Sequence, residues 1–137
     1  MLILPAALQA GLVEEARTAH PAECCGLLEG VREGGAIRIT AFHPSANLSP
    51  EPWTAFEIDP ALHFALLRGL RGSGRTVVGC YHSHPAGKAL PSARDRANSW
   101  EDGFVWVIIA TGVKAAARSD LAAFLAPAFD PLALTTA

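Results

Sequence analysis

Nowhere does this sequence stay apolar for the roughly 20 residues that a membrane-spanning helix requires. Charge is sparse and balanced: Asp, Glu, Lys and Arg make up 18% of 137 residues, with 11 basic against 13 acidic side chains. No basic stripe marks a surface for nucleic acid or anionic lipid, so neither is expected as a partner. Cysteines are few and odd in number (Cys24, Cys25 and Cys80). That argues against a disulfide framework and points to a reducing cytoplasm. The apolar start, Met1–Leu8, has no Lys or Arg ahead of it and is broken by Pro5, so it reads poorly as a secretory signal.

What is present is a chain that is half hydrophobic. One domain over residues 1–137 is expected, because two halves would be too small to bury good cores. Leu2–Leu4 suits a short strand, and Pro5 opens a helix to about His20 with Leu8, Leu12, Val13 and Ala16 near helical spacing. Cys24–Leu28 reads as a buried strand, Glu29–Gly35 as a turn, and Ala36–Phe42 as the returning strand of a hairpin. His43–Pro60 is a long irregular connection with one strand-like piece, Thr54–Ile58.

Asp59 and Pro60 are a cap and first residue for a helix carrying Leu62, Leu66, Leu67 and Leu70. Thr76–His82 is the clearest strand, and another helix follows Ser92. Phe104–Ala110 is a continuous apolar run suited to a central strand or to a homodimer surface, and Val113–Leu125 is expected to add one or two strands. Interspersed strands and helices predict an α/β (α+β) class around one mixed sheet.

The chemistry concentrates in His82-Ser-His84-Pro85 and in Ser92-Ala-Arg-Asp95. On a strand, residues two apart share a face, so His82 and His84 aim together while Ser83 points away. Two imidazoles on one face make a good start for zinc, and Pro85 places them at the mouth of the strand. Asp95, one turn into the next helix, is the natural third ligand, leaving a fourth position for water. A cation held this way brings the pKa of bound water toward about 7. A base must still take the proton. Spacing alone does not separate Glu23, heading an apolar strand, from Glu14, Glu15 and Glu29.

His82-Ser-His84-Pro85, six residues, Ser92, two residues and Asp95 resembles the signature of the JAMM/MPN+ (JAB1/MPN/Mov34) metalloprotease family. Glu23 with Cys25-Gly-Leu-Leu28 resembles its catalytic glutamate segment, and Phe56–Pro60 and Val78–Tyr81 are further points of similarity. The resemblance implies an MPN fold, related to cytidine deaminases, in which a mixed sheet is flanked by helices. It implies one Zn2+ per chain on His82, His84 and Asp95, Glu23 as general base, and Ser92 holding the substrate carbonyl. It further implies a protein or peptide substrate. Compact prokaryotic members process β-grasp, ubiquitin-like sulfur carriers, so cleavage at the C-terminus of such a carrier is expected.

Plainer readings compete. Ser92 and Asp95 also form a capping box, Cys80 shares parity with the histidines but suits a buried thiol, and Glu14, Glu15 and Glu29 suit solvated surface. His20, His43 and His63 lack partners at ligand spacing. Trp53 suits a groove wall, Trp106 the core, and Asn47 a turn. Two other functions fit parts of the pattern. One is a non-catalytic MPN-type module binding a partner's tail. The other is a RadC-like DNA-repair protein, which the missing basic surface disfavours.

Overall fold

A computed structural model of the chain describes residues 1–99, 101–111 and 120–137. Its elements run β1 (Leu2–Ile3), α1 (Ala6–Ala19), β2 (Cys25–Glu33), β3 (Ala36–Ser45), α2 (Pro60–Gly69), β4 (Thr76–His84), α3 (Ala93–Ala97), β5 (Val105–Ala110), β6 (Leu121–Leu125), β7 (Asp130–Leu132) and β8 (Leu134–Thr135). All eight strands join one sheet in the order β7-β6-β5-β4-β2-β3-β1-β8. β4 lies parallel to β5 and antiparallel to β2, so the sheet is mixed as expected.

Helices cover both faces. Leu12, Val13 and Ala16 of α1 pack with Leu28, Val78, Tyr81 and Val107 on one side. Leu62, Leu66 and Leu70 of α2 cover Leu27, Val77, Cys80, Trp106 and Ile108 on the other. Asp59 caps α2 by accepting from the Ala61 amide at 2.9 Å, and Pro60 fills the first turn. β5 is buried from Val105 to Ile109, which puts the apolar run in the core of this chain. Close approach of β4 to its neighbours demands small residues: a Cβ at Gly79 would collide with the Val105 carbonyl, and one at Gly26 with the Tyr81 hydroxyl.

Three expectations need correction. β2 continues through most of the expected turn to Glu33, and the reversal is confined to Gly34 and Gly35, Gly34 having a left-handed φ of 60°. Glu29, polar and turn-like in sequence, stays in the strand because it is satisfied there. It is buried and meets His43 Nε2 at 2.9 Å, Arg75 at 3.3 Å and Thr40 Oγ1 at 3.3 Å. Glu15 is not a solvated acid either, since it accepts from the Tyr81 hydroxyl at 3.0 Å. Thr54–Ile58 forms no strand; its one ladder-type contact is the bridge from Ile58 to Asn47. Of the expected Val113–Leu125 strands, Leu121–Leu125 is present and 113–119 lies outside the described residues, as does Trp100. β7 and β8 were not anticipated.

Candidate metal centre

β4 delivers the two histidines. Its register pairs His82 with Cys25 on β2 and with Ile108 on β5, so a paired strand on each side holds the backbone beneath the imidazoles. Phe56 stacks on the His82 ring at 4.3 Å with the planes 20° apart, and Trp106 meets it edge-on at 5.6 Å. Aromatic walls of this kind restrict ring rotation. Next along the chain, His84 Nδ1 lies 2.9 Å from the Lys88 carbonyl. A carbonyl only accepts, so Nδ1 carries the hydrogen and Nε2 of the neutral ring is left with a lone pair.

Asp95 arrives on α3. Ser92 caps the helix by accepting from the Asp95 amide at 3.0 Å, and Asp95 Oδ2 accepts from the Ser92 amide at 2.9 Å. The capping box and the approach to the histidines therefore coexist, because the box fixes the rotamer that turns Asp95 inward. His82 Nε2 and His84 Nε2 stand 2.9 Å apart, and Asp95 Oδ2 lies 3.2 and 3.1 Å from them. Among the described residues, His82, His84 and Asp95 are the group whose ligand atoms converge in this way. Burial opposes ionisation of Asp95, but its hydrogen bonds with His82, His84 and the Ser92 amide outweigh burial and hold it well below the usual carboxylate range. Burial pushes His82 down, favouring the neutral form.

These residues fit a single zinc ion. A tetrahedral ion with bonds of about 2.0–2.1 Å keeps its ligand atoms about 3.3 Å apart, close to the separations here. Cys80 does not join these residues: it is buried in the apolar cluster under α2, where burial pushes its thiol well up from the usual range.

Glu23 lies two residues before β2 begins at Cys25, whose register partner on β4 is His82. It is 7% exposed. Burial pushes its carboxyl up to about 7; His84 and Arg94 draw it down and Asp95 pushes it up, so it shares the electrostatic field of the ligand cluster. Ser83 points to the opposite face and ties the strand end to this acid's neighbour. Its Oγ accepts from the Cys24 amide at 2.8 Å, and its own amide donates to the Cys24 carbonyl at 3.1 Å.

A raised carboxyl costs stability when ionised. The folded form binds the proton more tightly than the unfolded one, so the cost is absent below the ordinary value of 4.5 and complete above about 7. Metal-free Glu23→Gln is accordingly expected to be more stable than the parent by about 1–3 kcal/mol at pH 8. The gap closes as pH falls through 7 towards 4.5. Thermal melts across this range check it, and a less stable variant at pH 8 would contradict it.

A cavity of about 770 Å³ opens beside the cluster, lined by Phe56, Ile58, Phe64, Leu67, Phe104 and Trp106 among others. Phe56 and Trp106 thus form both the wall behind His82 and part of this cavity. Phe56 had no assigned role in the sequence, although its place before Asp59-Pro60 was noted. Trp53, expected in a groove wall, does not line this cavity and is 61% exposed. His20 sits 3.3 Å from Thr111 and His43 pairs with Glu29, so neither joins the centre.

A mixed sheet carrying two imidazoles from one strand and a carboxylate from the next helix defines a candidate single-metal centre. The chain belongs to the family described as prokaryotic homologs of the JAB domain, whose model matches residues 5–123. It is similar to a desampylase of Haloferax volcanii, 41% identical over 88 residues, covering 64% of this chain and 62% of the relative. It is also similar to a probable TtuB-protein conjugate cleaving protease of Thermus thermophilus, 41% identical over 90 residues, 62% of this chain and 57% of that one. The match therefore spans less than two thirds of each relative's length. In structure it resembles a protein of Desulfitobacterium hafniense solved in solution, with a TM-score of 0.83, 28% identity, and coverage of 98% and 92%. Among the described residues, no helix is long and apolar enough to cross a membrane.

Proposed function

We propose that this chain is a zinc-dependent peptidase or isopeptidase acting at the C-terminus of a ubiquitin-like or sulfur-carrier protein in the cytoplasm, with residues 1–137 as one catalytic domain. The observation that carries the reading is the meeting of His82 Nε2, His84 Nε2 and an Asp95 carboxylate oxygen within 3.2 Å of one another, in the electrostatic field of Glu23. One Zn2+ per chain is held by these three side chains.

When bound, the ion supplies Lewis acidity, making a water a usable nucleophile near neutral pH and polarising the scissile carbonyl. Glu23 takes a proton from that water on its carboxylate and delivers it to the departing amine nitrogen. A buried carboxyl beside the ligand cluster can take up that proton and release it again without exchange with bulk water. Ser92 Oγ already accepts from the Asp95 amide. Its hydroxyl hydrogen is directed to the substrate carbonyl as negative charge develops on that oxygen. Similarity to a desampylase and to a probable TtuB-protein conjugate cleaving protease supports a protein conjugate as substrate.

The test uses zinc-loaded protein and a panel of ubiquitin-like carriers ending in Gly-Gly and extended by a peptide or joined to a lysine side chain. Mass spectrometry is expected to show cleavage after the second glycine, lost on chelation and restored by zinc. No cleavage of any member by metal-loaded protein would overturn the peptidase reading and favour a binding module.

A further inference from the structure

Glu23 is held by a segment outside the sheet ladder. The strap from Asn47 to Ile58 crosses in front of the head of β2 with a single bridge, Asn47 to Ile58, as its ladder-type pairing. Both backbone polar groups of Glu23 are bound to this strap. Its amide donates to the Pro52 carbonyl at 2.8 Å, and its carbonyl accepts from Asn47 Nδ2 at 3.1 Å.

The Asn47 side chain does more than close a turn. Nδ2 also donates to the Ala55 carbonyl at 3.0 Å, while Oδ1 accepts from the Ser49 and Glu57 amides, each at 3.0 Å. Two amide hydrogens and two lone pairs are its whole hydrogen-bonding capacity, and all are used. The acceptor half shapes the strap itself; of the two donated bonds, one also shapes the strap at Ala55 and the other fastens it to Glu23. Ala55 and Glu57 flank Phe56, the ring stacked on His82. One side chain therefore links the acid to the segment that walls the metal ligand.

The geometry points to Asn47 as a positioning residue for the Glu23 carboxylate, acting through the Glu23 carbonyl. This rests on the general-base role proposed above. The metal ligands lie on β4 and α3, which Asn47 does not touch by any of its four bonds, so its loss moves the acid without dismantling the ligand set. A misplacement of about 1 Å at a reacting group costs about 10²-fold in rate.

The experiment compares Asn47→Ala, Asn47→Asp and Glu23→Gln, singly and combined, in zinc-loaded protein on a cleaved carrier. Asn47→Asp keeps the bonds from the Ser49 and Glu57 amides and removes both donated bonds, to the Glu23 and Ala55 carbonyls, so it remains informative where Asn47→Ala fails to fold. Both are expected to lower kcat by about 10²-fold, with KM changed less than about threefold. Metal content stays at that of the parent, and the visible spectrum of cobalt-substituted protein is unchanged. In the Glu23→Gln background, either Asn47 change is expected to add almost nothing, because residues acting as a unit are non-additive. Parental kcat in Asn47→Asp, loss of metal from it, or additive losses in the combined variant would each overturn the inference alone. Parental kcat in Glu23→Gln would remove the general base, and the positioning role with it.

Discussion

Replacing Glu23 by Gln is expected to lower kcat by about 10²–10⁴-fold while zinc stays bound, the contribution of a positioned general base. Gln keeps the shape of the side chain and one acceptor oxygen, puts a donor in place of the other, and accepts no proton near neutral pH. The proposed ligand atoms belong to His82, His84 and Asp95, so metal content is not expected to follow activity. Loss should therefore appear in kcat, with KM for the carrier nearly constant, since binding in the ground state does not need the proton transfer. In the parent, protonation of Glu23 is expected to contribute to the acid-side fall in activity, a contribution that Glu23→Gln lacks. Steady-state kinetics across pH, beside elemental analysis of the same sample, check this. Full turnover by the variant on a cleaved carrier would remove Glu23 from the chemistry.

Asp95→Asn is expected to lower zinc affinity more than about 100-fold while α3 persists. Outer partners that merely orient ligands are worth about 10–100-fold in affinity, so a direct ligand is worth more. Asp95 caps α3 and is proposed to hold the metal, and the amide separates the two roles. An Asn oxygen can still accept from the Ser92 amide, as Asp95 Oδ2 does at 2.9 Å, but the negative charge facing His82 and His84 is gone. Asp95→Ala removes both and should also destabilise the helix start, because the N3 half of the capping box is lost while Ser92 remains. Competition with a chromophoric chelator gives the affinity, and thermal melts of the metal-free proteins give the cap. An Asn variant that binds zinc like the parent would show that Asp95 only caps.

The parts of the centre legible in the sequence were those with a fixed local period. His82 and His84 share a face because a strand has period two, and Ser92 and Asp95 share a helix start because capping has a three-residue offset. Both patterns survive folding, since neither depends on distant residues. α1, α2, β4 and β5 were readable for the same reason, each combining an apolar period with Pro, Gly or Asp punctuation. Glu29 misled because its solvation was replaced by partners from β3 and from Arg75, more than ten residues away in each case. The strap showed an alternation in Thr54–Ile58 that never met a strand partner; Asn47 side-chain bonds took the place of a ladder. β7 and β8 are three and two residues long, too short for any period to register. Phe56 was hidden because stacking on His82 is a contact between residues 26 positions apart.

A crystal of this protein equilibrated with zinc, measured on both sides of the zinc absorption edge, is the most direct examination of the proposed centre. One anomalous peak is expected per chain, about 2.0–2.2 Å from His82 Nε2, His84 Nε2 and an Asp95 carboxylate oxygen, with an open corner facing Glu23. A peak bonded instead to Cys80 Sγ, or none between the two imidazoles at saturating zinc, would contradict it.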